Sequence, residues 1–134
     1  MKNINIKLFH ICLILLSLFC CIAVSASAED ALPFASEYYS EATVSISSSK
    51  VISFECITYA SCNTIKVSSS SLQKLEGSSW VSVSGYSKPS KTASGRTYKE
   101  MLDCSSLIGS GTYRVTVTYN ADGHLKSCSA TRTF

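Results

Sequence analysis

Histidine, tryptophan and proline are scarce in this chain of 134 residues, which contains two, one and two of them respectively. A serine hydrolase needs a base within reach of its nucleophile. The sequence has no G-x-S-x-G motif, and His124 lies beside a predicted turn, where we expect it to be exposed. These absences argue against nucleophilic catalysis, and nothing in the sequence predicts a cofactor.

The first residues have the three zones of a secretory signal peptide. Lys2 and Lys7 form a short positive region, residues 8–24 are uncharged and mostly apolar, and Ala26-Ser27-Ala28 has the small-x-small pattern that signal peptidase accepts. An uncleaved anchor is the alternative, because an apolar run of this length reaches the lower edge of what spans a bilayer. The cleavage site favours removal. We therefore predict a signal peptide over residues 1–28 and a secreted or cell-surface domain over residues 29–134, without stable membrane insertion.

Removal of the leader also changes the charge of the chain. The formal net charge of the full sequence is +3, and the loss of Lys2 and Lys7 lowers it to about +1, too little to attract polyanions at long range. Nucleic-acid binding proteins carry a basic patch or stripe, and nothing of that kind is present. We therefore expect no nucleic-acid partner and predict an extracellular protein or glycan instead.

Four cysteines remain after the predicted cleavage: Cys56, Cys62, Cys104 and Cys128. An even number in a small exported domain is typical of disulfides, and four cysteines allow three connectivities. We favour sequential pairing, because Cys56 and Cys62 bracket the end of one predicted strand and the turn after it. The second bridge then joins Cys104 to Cys128. A zinc site is the weaker alternative, since the shortest spacing is C-x5-C and one histidine remains, so we predict no metal.

Alternating apolar and polar residues indicate β-strands through most of the region after the leader. Ser and Thr, weak helix formers that are tolerated on strands, make up 34 of its 106 residues. The clearest strand alternates Tyr113, Val115, Val117 and Tyr119 with polar residues and ends at Asn-Ala-Asp-Gly, a hairpin turn signal. Seven such strands predict an all-β antiparallel sandwich. They cover residues 42–47, 51–59, 65–75 (with a bulge or kink within 68–71), 80–86, 96–104, 112–119 and 125–134.

Gly111-Thr112-Tyr113-Arg114-Val115 resembles the G-x-Y-x-V opening of strand F in immunoglobulin-like domains. The resemblance implies an immunoglobulin-like β-sandwich in which Tyr113 is a corner tyrosine whose hydroxyl ties back to the preceding turn. Residues 72–83, together with this strand, also resemble a group of small secreted proteins of Gram-positive bacteria whose function is uncharacterised. The chain departs from an antibody domain in having Val115 where a cysteine would stand, so the inter-sheet disulfide of antibody domains is not carried over.

The strand predicted over residues 80–86 carries a candidate binding surface. Side chains alternate along a strand, so if Val81 and Val83 face the core, Trp80 and Tyr86 face solvent. An exposed aromatic pair framed by hydroxyls can grip a sugar ring or a protein partner. The alternative is that Trp80 bends inward at a bulge and belongs to the core. The predicted ligand-binding residues are Trp80, Ser82, Ser84 and Tyr86.

Carboxylates are weaker candidates for chemistry. A glycosidase needs two inward-facing carboxylates about 5 to 10 Å apart, whereas Glu55, Glu100 and Asp103 are scattered. Glu100 shares a strand face with Tyr98 and Leu102, and we interpret it as an acid at the rim. We therefore expect no catalytic residues and predict a non-catalytic secreted or cell-surface binding module. Two alternatives stay open: a secreted effector (toxin, inhibitor or antimicrobial protein) and, less favoured, a small extracellular hydrolase.

Overall fold

The computed structural model describes residues 35–134, so the predicted signal peptide and its cleavage site lie outside the described residues. Within them, no helix has the length and apolar character needed to cross a bilayer. One helical turn precedes a domain built otherwise of strands and their connections. The elements are α1 (Ala35–Tyr38), β1 (Tyr39–Ile46), β2 (Val51–Glu76), β3 (Ser79–Ser82), β4 (Thr92–Asp103), β5 (Thr112–Ala121) and β6 (His124–Thr133).

The strands form one curled antiparallel sheet, and the long strand β2 runs through its middle. The first part of β2 pairs with β1 on one edge and with β4 on the other. Its last part pairs with β5 on the first edge and with β3 on the second, and β6 extends the sheet beyond β5. We call β1, β4 and the first part of β2 the first half-sheet. The second half-sheet consists of the last part of β2 with β3, β5 and β6.

The described chain has six strands rather than the predicted seven, because residues 51–59 and 65–75 belong to one continuous strand. The polar residues between them bend β2 without ending it. The register with β4 shifts between Ile57 and Cys62 and again between Cys62 and Ile65. At the bend, Thr58 is buried, and its hydroxyl donates to the carbonyl of Ala60 at 2.7 Å, so the buried polar group is satisfied.

The irregularity predicted within residues 68–71 is confirmed. The register between β2 and β5 shifts between Val67 and Ser69, as in a β-bulge. The hydroxyl of Ser68, the extra residue, donates to the carbonyl of Thr118 at 3.1 Å. Because a bulge adds one residue, it changes which side chains of β2 face inward: Val67 is buried before it and Leu72 after it.

The core fills the concave side of the curled sheet. Strand β5 shows the period most clearly, since every second residue is buried from Tyr113 to Ala121. The first part of β2 contributes Ile52, Phe54 and Cys56, each at most 1% exposed. Removal of this apolar surface from water is the main favourable contribution to folding, and the alternation predicted for residues 112–119 is confirmed.

Side chains join the edge of β1 to that of β6 where the curled sheet comes round on itself. The hydroxyl of Tyr39 donates to the carbonyl of His124 at 2.6 Å. A guanidinium nitrogen of Arg132 donates to the carbonyl of Ile46 at 3.1 Å. From β5, the hydroxyl of Tyr119 donates to the carbonyl of Thr43 at 2.6 Å. These donors satisfy carbonyl groups that an edge strand would otherwise leave unpaired.

The hairpin between β5 and β6 turns at the predicted position and is tied to the bend of β2. Asp122, at a φ of 48°, accepts hydrogen bonds from the backbone N–H groups of Asn63 and Thr64, each at 2.8 Å. At the other end of β5, the hydroxyl of Tyr113 accepts the N–H of Gly109 at 3.0 Å. That is the tie to the preceding turn that we expected for Tyr113. Both ends of β5 are therefore anchored to neighbouring segments.

Candidate functional site

Trp80 lies on the short edge strand β3, opposite Leu75 of β2, and its side chain is half-buried. The guanidinium carbon of Arg114, on β5, lies 4.3 Å from the centroid of the indole ring. At this distance a cation is attracted to the electron-rich face of the ring. Trp80 is not among the residues that pack against the core, so of the two predicted alternatives the outward one holds for Trp80. The indole is not fully exposed, because it lies against the cation of Arg114 on the outer side of the sheet.

Arg114 is held by Gln73, which lies opposite it in the register of β2 and β5. One guanidinium nitrogen donates to the side-chain oxygen of Gln73 at 2.8 Å, whereas the buried Nε has no hydrogen-bond partner among the described residues. The one ion pair within residues 35–134 joins Lys99 to Glu55. The charge of Arg114 is therefore not neutralised by a carboxylate of the described chain. Trp80, Gln73 and Arg114 form what we call the tryptophan cluster.

The structure places Ser82, Ser84 and Tyr86 differently from the prediction. β3 ends at Ser82, and Gly85 takes a φ of 83°, so Tyr86 does not share a strand face with Trp80. Tyr86 packs against the core, and its hydroxyl lies 2.7 Å from that of Ser70. The predicted exposed aromatic pair is therefore wrong, because a turn intervenes where a continuous strand was expected. Ser82 and Ser84 are both exposed, with Ser84 beyond the strand.

The two valines of the same segment behave unequally. Val83 packs against the core as predicted, and its N–H donates to the carbonyl of Leu72 at 2.9 Å. Val81 lies opposite Lys74, which on its other side lies opposite the buried Tyr113, so Val81 faces the inner side as predicted, but it is 44% exposed. The alternation is correct, but the core ends before it reaches Val81.

The outer side of the second half-sheet is covered with hydroxyl groups. Seven of the ten outward positions on β5 and β6 are Ser or Thr, and adjacent strands contribute cross-strand pairs. The hydroxyls of Thr112 and Thr133 lie 2.9 Å apart, and those of Thr118 and Ser127 lie 2.8 Å apart. We call this surface the hydroxyl face; its hydroxyl side chains are Ser69, Ser71, Ser82, Thr112, Thr116, Thr118, Ser127, Ser129, Thr131 and Thr133. The tryptophan cluster lies at one end of it.

The carboxylates considered for glycosidase chemistry do not act as a pair. Glu55 forms its ion pair with Lys99 at 2.6 Å. Glu100, one residue along β4 from Lys99, accepts hydrogen bonds from the hydroxyl of Tyr98 at 2.5 Å and from the N–H of Lys91 at 3.3 Å. Burial and this carboxylate raise the pKa of Tyr98. Both acids line a shallow cavity of about 410 Å³ beside Met101, but each carboxylate is engaged by its own partner.

All four cysteines are free thiols in the structure, so neither predicted bridge is formed there. The sulfur of Cys62 lies 3.5 Å from the hydroxyl of Tyr38. Burial raises the pKa of Cys56 to about 12, with smaller contributions from Cys62 and Cys128. Cys104 lies elsewhere, at the end of β4, where its N–H donates to the carbonyl of Lys50 at 3.1 Å.

His124 is the first residue of β6 and is half-buried, not an exposed loop residue as predicted. Its ring stacks on that of Tyr38, with centroids 3.9 Å apart. The aromatic contact explains the burial, and it could not be read from the turn signal beside His124. Across residues 35–134, no three His, Cys, Asp or Glu side chains come close enough to hold a metal ion.

Arg114, Gln73 and Asp122 are the residues of interest that the sequence interpretation missed. Arg114 is one of the polar residues that alternate along its strand, which gives no indication of its contacts. Trp80 lies 34 residues earlier in the sequence and Gln73 lies 41 residues earlier. Only the strand register brings these residues together. Comparisons with protein-family models, with curated proteins and with solved structures found no match.

Proposed function

We propose that this domain is a non-catalytic binding module that acts outside the cell and holds its ligand at the tryptophan cluster. One observation carries the proposal: a half-buried indole on the outer side of the sheet, stacked on a guanidinium whose charge no described carboxylate neutralises. Trp and Arg are the side chains most often found at binding hot spots. Here they lie on an outer surface, beside exposed hydroxyls, rather than in the core.

We propose no catalytic role because the acidic side chains are already held in contacts within the fold. Glu55 is paired with Lys99, Glu100 accepts two hydrogen bonds, and Asp122 accepts backbone N–H groups. A hydrolytic site would need two such groups converging on one pocket. Glu55 and Glu100 line one shallow cavity, but each is engaged by its own partner, and Asp122 lies apart at the hairpin of β5 and β6.

Export is part of the same proposal, and so is a relationship to immunoglobulin-like domains. The leader pattern of residues 1–28 and the four cysteines favour an oxidising compartment. The curled antiparallel sheet and the contact between Tyr113 and Gly109 are compatible with a sandwich of that kind. Intact-mass analysis of protein recovered from the medium should give a chain that begins at Glu29 and has lost its thiol hydrogens to disulfides. A retained leader would refute the predicted cleavage after Ala28, and absence of the protein from the medium would refute export.

The binding function is tested by substitution of Trp80 with a matched aromatic control. The domain is immobilised and screened against purified extracellular proteins and polysaccharides, and every ligand found is measured again with W80A and Y59A. Tyr59 is 60% exposed and lies on the first part of β2, away from the tryptophan cluster. We expect W80A to weaken binding about thirty-fold, the size of an aromatic hot spot, and Y59A to leave it unchanged. Equal loss in both variants would place the ligand elsewhere.

A further inference from the structure

The hydroxyl face is regular in two directions. Neighbouring strands are about 4.8 Å apart, and outward residues recur at every second position, about 6.7 Å along each strand. Rows therefore run across the sheet, for example Ser71, Thr116 and Ser129, and next to them Gln73, Arg114 and Thr131. The result is a regular array of small polar groups on the outer side of the curled sheet, not a pocket.

Each hydroxyl of the array has one donor and two acceptor sites. A cross-strand pair, such as Thr118 with Ser127, uses one donor and one acceptor site and leaves the remaining sites free. A partner that itself presents many hydroxyls can satisfy them in either direction. Large apolar side chains are nearly absent from the face: of the exposed large hydrophobic residues, Tyr59, Val81, Met101 and Leu125, only Leu125 belongs to it. Protein interfaces usually have an apolar centre, which the hydroxyl face lacks.

The charge of the hydroxyl face has one sign. Its charged residues are Arg114 and Lys66, which lies opposite Asn120 in the register, and the described residues that face this side include no carboxylate. The outer side of the first half-sheet carries Glu41, Glu55 and Asp103 against one cation, Lys99. An anionic partner is therefore attracted to the hydroxyl face and repelled from the other. Two cations are too few for the repeated phosphate contacts of nucleic-acid binding.

We infer that the hydroxyl face binds an acidic polysaccharide, a chain of hydroxyl-rich sugars that carries carboxylate groups. The sugar hydroxyls pair with the Ser and Thr array, one ring stacks beside Trp80, and carboxylates approach Arg114 and Lys66. The inference rests on the proposed binding function and specifies its ligand. Carboxylate and guanidinium form charge-assisted hydrogen bonds, and the terminal guanidinium nitrogens of Arg114, rather than its buried Nε, would donate them.

The test uses three purified polymers of similar length: polygalacturonate, neutral dextran and single-stranded DNA. Binding to the immobilised domain is measured at low and at physiological salt for the wild type, K66Q, W80A and K99Q. Lys99 is the matched control, because it is an exposed lysine on the opposite outer face. We expect polygalacturonate to bind at least ten-fold more tightly than either other polymer. K66Q should weaken this binding three- to ten-fold and K99Q should not, and added salt should weaken it because the charges are exposed.

Several outcomes overturn the inference, and they differ in what they mean for the proposed function. Equal binding of dextran, with dependence on Trp80, would show a neutral-glycan site and leave the binding function intact. Equal binding of DNA, or equal loss in K66Q and K99Q, would show unspecific attraction of polyanions. If none of the three polymers binds, but a protein ligand does and its binding depends on Trp80, the acidic polysaccharide is refuted as the ligand and the proposed binding function stands. If no ligand of any class depends on Trp80, both proposals fail.

Discussion

The two outer surfaces of the curled sheet differ in charge, although one strand, β2, contributes to both. The first half-sheet presents Glu41, Glu55 and Asp103 with Lys99, and its one ion pair joins Lys99 to Glu55. The second presents the hydroxyl face with Arg114 and Lys66. The inner surfaces show no such difference, since both are lined by buried aromatic and aliphatic side chains.

The contrast separates positions at which the fold requires an apolar residue from positions at which it allows many residue types. Inward positions of a strand must be apolar in either half-sheet, because they form a common core. Outward positions face water and are free to vary, so a one-sided choice there calls for a functional explanation. Ordinary surface composition, with both signs of charge, is found on the first half-sheet. The second departs from it, and it is the half-sheet that carries the tryptophan cluster.

The largest expected effect tests whether the two half-sheets share one core. F54A in the first half-sheet and L72A in the second each remove a side chain that is at most 1% exposed. We expect losses of roughly 3–5 and 2–5 kcal/mol of unfolding free energy, from lost burial and the cavities left behind. Urea unfolding should show one transition with an unchanged slope in both variants. A second transition in either would mean that the half-sheets unfold separately.

The next effect concerns the stability contributed by Trp80. Its side chain is half-buried and stacked on Arg114. W80A should therefore cost about 1–2 kcal/mol of unfolding free energy, from a partly exposed cation–π contact and partial loss of apolar burial. Y59A, at a 60% exposed aromatic, should change stability by less than about 0.5 kcal/mol. A loss above about 3 kcal/mol for W80A would identify it as a core residue, and would remove the tryptophan cluster as a surface site.

The inner surfaces were predictable from the sequence, and the outer ones were not. Period-2 alternation is a local signal, and it correctly gave β5 with its buried Tyr113, Val115, Val117 and Tyr119. The continuity of β2 was missed, because the bend around Thr58 reads as a turn in the sequence. The place of Tyr86 was missed for the opposite reason, since Gly85 at positive φ ends a pattern that still alternates.

Register between strands distant in sequence decides the composition of each outer surface. Arg114 approaches Trp80 because both β3 and β5 pair with β2, and the bulge at Ser68 changes which residues of β2 face outward. The bulge was predicted from the serine run of residues 68–71, but the pairing between distant strands does not follow from local propensity. The one-sided charge of the hydroxyl face was therefore beyond reach of the sequence alone, although every residue that forms it was visible.

A smaller effect depends on pH and compares one carboxylate from each half-sheet. The N–H groups of Asn63 and Thr64 lower the pKa of Asp122, and the N–H of Ser105 lowers that of Asp103. A carboxylate whose pKa is lower in the folded than in the unfolded state stabilises the fold at pH values above its unfolded pKa, about 3.9. This stabilisation is lost as the pH falls through the folded pKa. Asp122 accepts bonds that join β2 to the hairpin of β5 and β6, whereas Asp103 caps a local turn. D122N should therefore reduce acid sensitivity more than D103N.

Denaturant unfolding of the wild type and both variants, at neutral pH and at a series of pH values below the ordinary Asp pKa of about 3.9, measures the difference. The wild type should lose stability on acidification, D103N should lose nearly as much, and D122N should lose least. An equal reduction in both variants would mean that the long-range contact of Asp122 contributes no more than the local cap. The hairpin carrying the hydroxyl face would then need another anchor to the bend of β2.

The smallest expected change in stability is the one that bears most directly on the hydroxyl face. Thr118 lies at the centre of the face and pairs with the hydroxyl of Ser127 at 2.8 Å. T118V keeps the shape and the β-branch of the side chain, which suits a strand, and removes only the hydroxyl. Because the pair is open to water, we expect a change of less than about 0.5 kcal/mol in unfolding free energy. Binding of polygalacturonate should nevertheless weaken by about three-fold, since one hydrogen-bonding position of the array is lost.

T43V is the control, because Thr43 is an exposed threonine on β1 in the first half-sheet, and it should change neither the unfolding free energy nor the binding of polygalacturonate. If T118V instead destabilised the domain by more than about 1 kcal/mol, the hydroxyl would serve the fold. The outer side of the second half-sheet would then be as constrained by stability as its inner side, and the contrast between the two outer surfaces would no longer point to a ligand.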